Sequence, residues 1–285
     1  MRTPPRDLRN AALFVAGAAI LWSTGGLFIK LAPMPAIAVA CGRSLVAAVF
    51  YLVVLRPNLR AARLSTALAY AGCIVTFVTA TRLTTAANAI FLQYTGPAYV
   101  LLLSPLILKE AFRRIDGVCV ALSLAGMSLF FVGKVEAGQA LGNGLGIVSG
   151  VFFALTVVFL RRDSRAGNDT ALPSTALGNL IAAAVTLPFA LQALPQMTSA
   201  RGAGVLLYLG IVQLGVAYVL FIRGVRKVPA AEASLISMLE PVLNPVWVLL
   251  GTGERPGPWA LIGGAIVIAA VVVRTLAPAD RAAVT

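Results

Sequence analysis

Apolar runs about as long as a bilayer is thick follow one another along this chain with almost nothing between them. That spacing restricts the fold more than any motif does. A membrane helix needs about 20 apolar residues to cross the hydrocarbon. Such runs fall at 11–30, 36–55, 64–82, 86–107, 115–133, 143–160, 172–193, 203–223, 231–250 and 257–275. The breaks carry turn chemistry or charge: Ala32-Pro33-Met34-Pro35, Arg56-Pro57-Asn58, Lys109-Glu110 through Asp116, and Arg161 through Asn168. The expected fold is an all-α membrane protein of ten transmembrane helices, which leaves no room for a soluble catalytic domain. Composition agrees, with 59% hydrophobic residues and 12% charged ones, against roughly a quarter charged in soluble domains.

The formal net charge of +13 invites a nucleic-acid reading, but the distribution of the basic residues opposes it. Lys and Arg sit in short clusters between apolar runs, as they do in the cytoplasmic loops of membrane proteins. With the N-terminus inside, seventeen of the 23 basic residues fall on the cytoplasmic side. Lys30, Arg82, Lys134, Arg201 and Arg255 fall opposite, and Arg43 lies within a span. One missing helix would swap every later loop and erase this bias, so ten spans and two cytoplasmic termini are expected together. The first run is longer than a signal-peptide core, contains Trp22 and Gly25-Gly26, and is read as a retained span. Cys41, Cys73 and Cys119 all lie in apolar runs and are read as small packing residues.

The fourth and ninth runs correspond. Ala-Ala-Asn-Ala at 86–89 matches Ala-Ala-Glu-Ala at 230–233, Pro97 matches Pro241, and Glu110 matches Glu254, all at an offset of 144. Each copy would hold five helices, an odd number, so the second must be inverted in the membrane. Helices 1–5 (11–133) and 6–10 (143–276) are then two inverted repeats within one membrane domain spanning 1–285, an arrangement that builds alternating access in many transporters.

The chain resembles the drug/metabolite transporter superfamily, of the ten-helix EamA type. The resemblance is carried by Ile20-Leu21-Trp22-Ser23, Arg43, Leu239-Glu240-Pro241-Val242, Glu254, and the last helix at Gly263-Gly264. It implies two inverted five-helix halves around a central cavity. It also implies secondary transport, often export, of amino acids, related metabolites or toxic compounds, with neutral and aromatic amino acids among the substrates.

Enzyme signatures are missing. The chain has no histidine, which removes Ser-His and Cys-His dyads and His-ligated zinc. Gly144 and Gly146 with Gly150 miss the dinucleotide fingerprint, whereas Gly142, Gly146 and Gly150 place small residues on one helix face for close packing.

Candidate binding residues follow from polar groups inside spans. On a continuous ninth helix, Ser234, Ser237, Glu240, Pro241 and Asn244 occupy one arc of about 120°, which must face a cavity or a polar seam between helices. The aligned face of the fourth helix holds Gln93, Gly96 and Pro97. Pro97 and Pro241 each free a carbonyl one turn earlier, as hinge or as contact. Trp22 lines the cavity or packs in the core. Tyr94 and Tyr99 flank the fourth-helix face, and Gln213 and Tyr218 in the eighth span remain ambiguous. Arg43 snorkels to the interface, pairs with a carboxylate, or meets a substrate carboxylate. Glu240 is the only carboxylate near mid-span, so it either couples transport to protons or holds the helix at Pro241.

The expectation is thus a secondary transporter, an exporter, of small organic metabolites such as amino acids. Its substrate-binding candidates are Trp22, Arg43, Gln93, Tyr99, Ser237 and Asn244, with Glu240 for coupling and Pro97 and Pro241 as hinges. A channel or an intramembrane enzyme is the alternative. The partners expected are a small-molecule substrate and the lipids of the plasma (bacterial inner) membrane, with homo-oligomerisation left open. No nucleic acid, metal or cofactor is expected.

Overall fold

The computed structural model describes residues 5–84, 86–111, 113–130, 132, 139–165, 169–253 and 257–277. Backbone amides and carbonyls buried in hydrocarbon must be satisfied within the chain, which favours helices wherever the runs are long. Among the described residues, nine helical stretches are long and apolar enough to cross a membrane: Asp7–Leu31, Ala36–Leu55, Leu64–Thr81, Asn88–Leu108, Ala140–Arg165, Ala171–Thr198, Ala200–Val225, Ala230–Gly251 and Pro258–Leu276. They coincide with nine of the ten apolar runs. The remaining run corresponds to a 17-residue helix, Arg114–Phe130, and its far end lies largely outside the described residues.

Several spans are interrupted. The first is α1 (Pro5–Ser23) followed by α2 (Gly25–Leu31). The second is α3 (Ala36–Phe50) with a π-helical turn, Tyr51–Leu55. After α4 (Leu64–Leu83), the fourth run is split into α5 (Ala86–Gln93) and α6 (Gly96–Leu108). There follow α7 (Arg114–Phe130), α8 (Ala140–Arg165) and α9 (Ala171–Ala190), and then short α10 (Leu194–Thr198). The eighth run is α11 (Ala200–Leu207), a π-helical stretch Tyr208–Val216, and α12 (Ala217–Val225). The ninth is split into α13 (Ala230–Ser237) and α14 (Leu239–Thr252), and α15 (Pro258–Leu276) is last.

Leucines such as Leu102, Leu106 and Leu250 point outward, as expected where the solvent is lipid. Small residues turn inward and let backbones approach, the usual means of packing helices without a hydrophobic drive between them. The Gly142, Gly146 and Gly150 face of α8 does this, Gly142 against the end of α4 and Gly146 and Gly150 against the fourth run. A Cβ on Gly142 would lie 2.5 Å from the Leu83 carbonyl, one on Gly146 would meet Leu92 at 3.0 Å, and one on Gly150 would meet the Leu92 oxygen at 3.0 Å. α8 also packs on α4, α7 runs along α15, α3 packs on α9 and on the π-helical stretch, and α1 packs on α12 and α14.

Candidate functional site

Each broken span has a local cause. At the first break, Ser23 and Thr24 donate their hydroxyls back to the Ile20 and Leu21 carbonyls, at 2.6 and 2.7 Å, which competes with the helical ladder. Two glycines follow. In the fourth run Pro97 has no N–H for the Gln93 carbonyl, and the chain tightens instead, with Thr95 N–H reaching the Leu92 carbonyl at 3.3 Å. In the ninth, Pro241 leaves the Ser237 carbonyl without its donor, and Met238 N–H bonds Leu235 at 3.0 Å. The π-helical stretch frees carbonyls too, and the Tyr51 hydroxyl stands 3.2 Å from the oxygens of both Leu214 and Gly215.

These irregular points surround one cavity of about 670 Å³. Trp22, Gly25 and Gly26 come from the first break, Gln93 and Tyr94 from the second, Glu240, Pro241 and Asn244 from the third, and Gln213 from the π-helical stretch. Non-helical backbone at membrane depth is tolerated where it lines a cavity, and broken helices commonly frame transport sites. Gly25 and Gly26 make room for two amides. A Cβ at Gly25 would sit 2.9 Å from Gln213 Nε2, and one at Gly26 would run into the Asn244 amide.

The walls are mixed. Trp22 is both wall and core: it is 5% exposed, with ring centroids 4.9 Å from Tyr218 and 5.1 Å from Phe221. Gln93 donates to Ser149 Oγ at 2.9 Å and to Cys73 Sγ at 3.4 Å. Cys73 therefore lines the cavity and is not merely a packing residue. Arg43 and Glu240 both line it, and among the described residues no ion pair joins them. The Tyr94 hydroxyl and the Arg43 guanidinium act on the Glu240 carboxylate.

Of the residues picked from the sequence, Trp22, Arg43, Gln93, Glu240, Pro241 and Asn244 are brought together. Ser237, Tyr99 and Pro97 are not among the lining residues. Ser237 is buried and donates to the Ala233 carbonyl at 2.9 Å. Tyr99 packs against the core, and Pro97 is buried at the start of α6. The physical reason is the break itself: one 100° step per residue holds only along a continuous helix, and at Met238 the face of α13 separates from that of α14. Tyr94, Gln213 and Tyr218 line the cavity instead. Glu254, paired in the sequence with Glu110, lies outside the described residues.

The cavity opens towards the end of the bundle that carries Lys30, Ala36, Thr81 and Ala260. The opposite end is laced with ion pairs. Glu110 accepts from Arg161 Nε at 2.8 Å, from Arg165 Nη1 at 3.2 Å, and from the Ala230 N–H at 3.0 Å, which caps α13. Arg161 also donates to the Val225 carbonyl at 2.6 Å. Asp163 holds Arg162 at 2.9 Å and accepts from Thr66 at 2.6 Å. Arg274 bridges Asp116 and Glu232, the latter at 3.1 Å, and Asp7 meets Lys227 at 2.9 Å. Among the described residues, none of these ion-paired groups lines the cavity.

Apolar membrane-length helices, broken around a largely apolar cavity with a few polar and charged groups that reaches one end of the bundle, define the class as an integral membrane transporter. The sequence comparisons agree. The EamA-like transporter family model matches residues 9–132 and 140–276, and the chain belongs to that family. An uncharacterized transporter of Archaeoglobus fulgidus is 27% identical over 201 residues, 70% of this chain and 71% of that one. The uncharacterized transporter YwfM of Bacillus subtilis is 27% identical over 286 residues, 94% of each chain. A crystal structure with 20% sequence identity superposes at a TM-score of 0.76, covering 93% of this chain and 96% of that one, a likeness of fold.

Proposed function

We propose that the chain is a ten-span secondary transporter that exports small organic metabolites, amino acids among them, across the bacterial inner membrane by alternating access. Its two five-helix repeats are inverted, and both termini are cytoplasmic. The observation that carries this reading is the cavity, framed by three broken spans and sealed at one end by ion pairs. Such a chamber binds a solute from one side at a time, which separates it from a channel with a continuous path. Two family matches in one chain, to 9–132 and 140–276, support the repeat. The broken fourth and ninth spans, each with a proline three residues past the start of the break, support hinges at Pro97 and Pro241. The volume suits a solute of amino-acid to small-drug size.

The test is uptake and efflux of a panel of labelled amino acids by purified protein in liposomes, with planar-bilayer recording alongside. Saturable exchange without single-channel currents is expected, whereas unitary currents overturn the reading in favour of a channel. Cysteines at Asn58 and Lys227 are expected to label from the cytoplasm and those at Ser199 and Gly257 from the other side. Labelling of all four from one side contradicts the topology.

A further inference from the structure

Arg43 is a charged group in a setting that hydrocarbon penalises. It lies on α3 inside the second span, is 9% exposed, and donates no hydrogen bond to the described residues; its Nε has no partner. The titratable groups that act on it are Tyr70, Tyr218, Glu240 and Cys73. Only Glu240 among them is a carboxylate, and it is not within ion-pair distance. Structural arginines in this protein look different: Arg161 and Arg274, equally buried, each hold a carboxylate. A buried charge without a counter-charge costs several kcal/mol, and in membrane proteins such a group commonly marks the path of the cargo.

Two more unpartnered polar atoms belong to residues lining the same cavity. Trp22 Nε1, on a side chain 5% exposed, is a donor without an acceptor, and Gln213 Oε1, on one 6% exposed, is an acceptor without a donor. Across the cavity Glu240 is the one lining carboxylate among the described residues. Lys30 also lines the cavity, towards its mouth, but among the described residues no ion pair joins Arg43 or Glu240 to any lining group.

Resting on the transporter reading, we propose that Arg43 is the carboxylate anchor of the cargo and that Glu240 receives the cargo's cationic group, so the site selects dipolar solutes. A solute that is only an anion satisfies Arg43 and leaves Glu240 uncompensated. One that is only a cation does the reverse. The planar guanidinium fork suits a carboxylate in a way a lysine does not. Gln213 and Trp22 complete the polar contacts.

The test uses purified full-length protein in liposomes and nanodiscs with three ligands sharing one side chain: phenylalanine, phenylpropionate and phenethylamine. Wild type should bind and exchange phenylalanine best. Arg43→Gln should weaken phenylalanine and phenylpropionate tenfold or more while leaving phenethylamine within about twofold, and Arg43→Lys should fall between. Glu240→Gln should show the opposite preference, sparing phenylpropionate. Retained phenethylamine binding is the control that Arg43→Gln folds. If wild type exchanges phenylalanine and Arg43→Gln does so equally well, the anchor is overturned and the transporter reading stands. The anchor is overturned in the same way if wild type prefers phenethylamine to phenylalanine, or if Arg43→Gln loses all three ligands alike. If wild type neither binds nor moves any of the three, the anchor and the amino-acid reading fall together.

Discussion

Replacing Glu110 by Ala removes the carboxylate that ties α8 to the start of α13. The magnitude follows from its three partners. Arg161 is 8% exposed on its side chain, and breaking a buried pair from one side costs about 3–5 kcal/mol. Arg165, 47% exposed, adds at most about 1 kcal/mol, and the cap on the Ala230 N–H about 1 kcal/mol. Arg161 keeps its bond to the Val225 carbonyl, so the low end, about 3 kcal/mol, is the working figure. If these contacts exist only while this end is shut, the whole loss favours the opposite state, a shift of more than about 100-fold in population. The assay is the rate at which an impermeant thiol reagent reaches Cys73, in a version with Cys41 and Cys119 replaced by Ala. Where the two states start at about 10:1, labelling from the end holding Lys30 should fall about tenfold, and labelling from the Glu110 end should become measurable. Unchanged rates from both ends, together with a lowered melting temperature, would refute the gating role and leave the network purely structural.

Other perturbations test packing, site and coupling. Gly142→Ala places a methyl 2.5 Å from the Leu83 backbone, whereas Gly144 has nothing within 4 Å. Thermal melting in detergent should show Gly142→Ala destabilised by about 1–3 kcal/mol and Gly144→Ala not at all. Gln93→Ala loses contacts to Ser149 and Cys73 and should slow exchange more than Gln192→Ala at normal expression; equal effects would count against a binding role for Gln93. Glu240→Gln keeps size and hydrogen bonding but cannot lose a proton. If Glu240 also couples transport, the variant should keep exchange of phenylpropionate, the ligand that does not need it, and lose acceleration of that exchange by an imposed pH gradient; a full response to the gradient removes the coupling role.

The spans were legible because hydrocarbon thickness is a physical ruler: nine of the ten runs reappear within a few residues of their sequence bounds. The small-residue face of α8 was legible for a similar reason, since glycines four apart must share a helix face. The finer site was not. The arc that includes Ser237 assumes an unbroken ninth helix, and the break at Met238 separates Ser237 from Glu240, Pro241 and Asn244, while Tyr99 only flanks the face of the fourth run and packs against the core. Gln213 reaches the cavity from a π-helical stretch that no local pattern announces, held by the hydroxyl of Tyr51, more than 160 residues away. The pairing of Glu110 with Arg161 and the Ala230 N–H is likewise tertiary. Prolines at matching positions in the fourth and ninth runs did mark the broken spans, because a missing N–H acts locally whatever surrounds it.

If this cavity is the path of the cargo, Cys73 on its wall reports on it directly. In protein carrying Cys73 alone, alkylation should abolish phenylalanine exchange in liposomes, and saturating phenylalanine should slow that alkylation at least about fivefold, as a bound ligand shields the wall it touches. Complete alkylation of Cys73 with undiminished exchange would contradict the account, because the solute would then be crossing the membrane by another route.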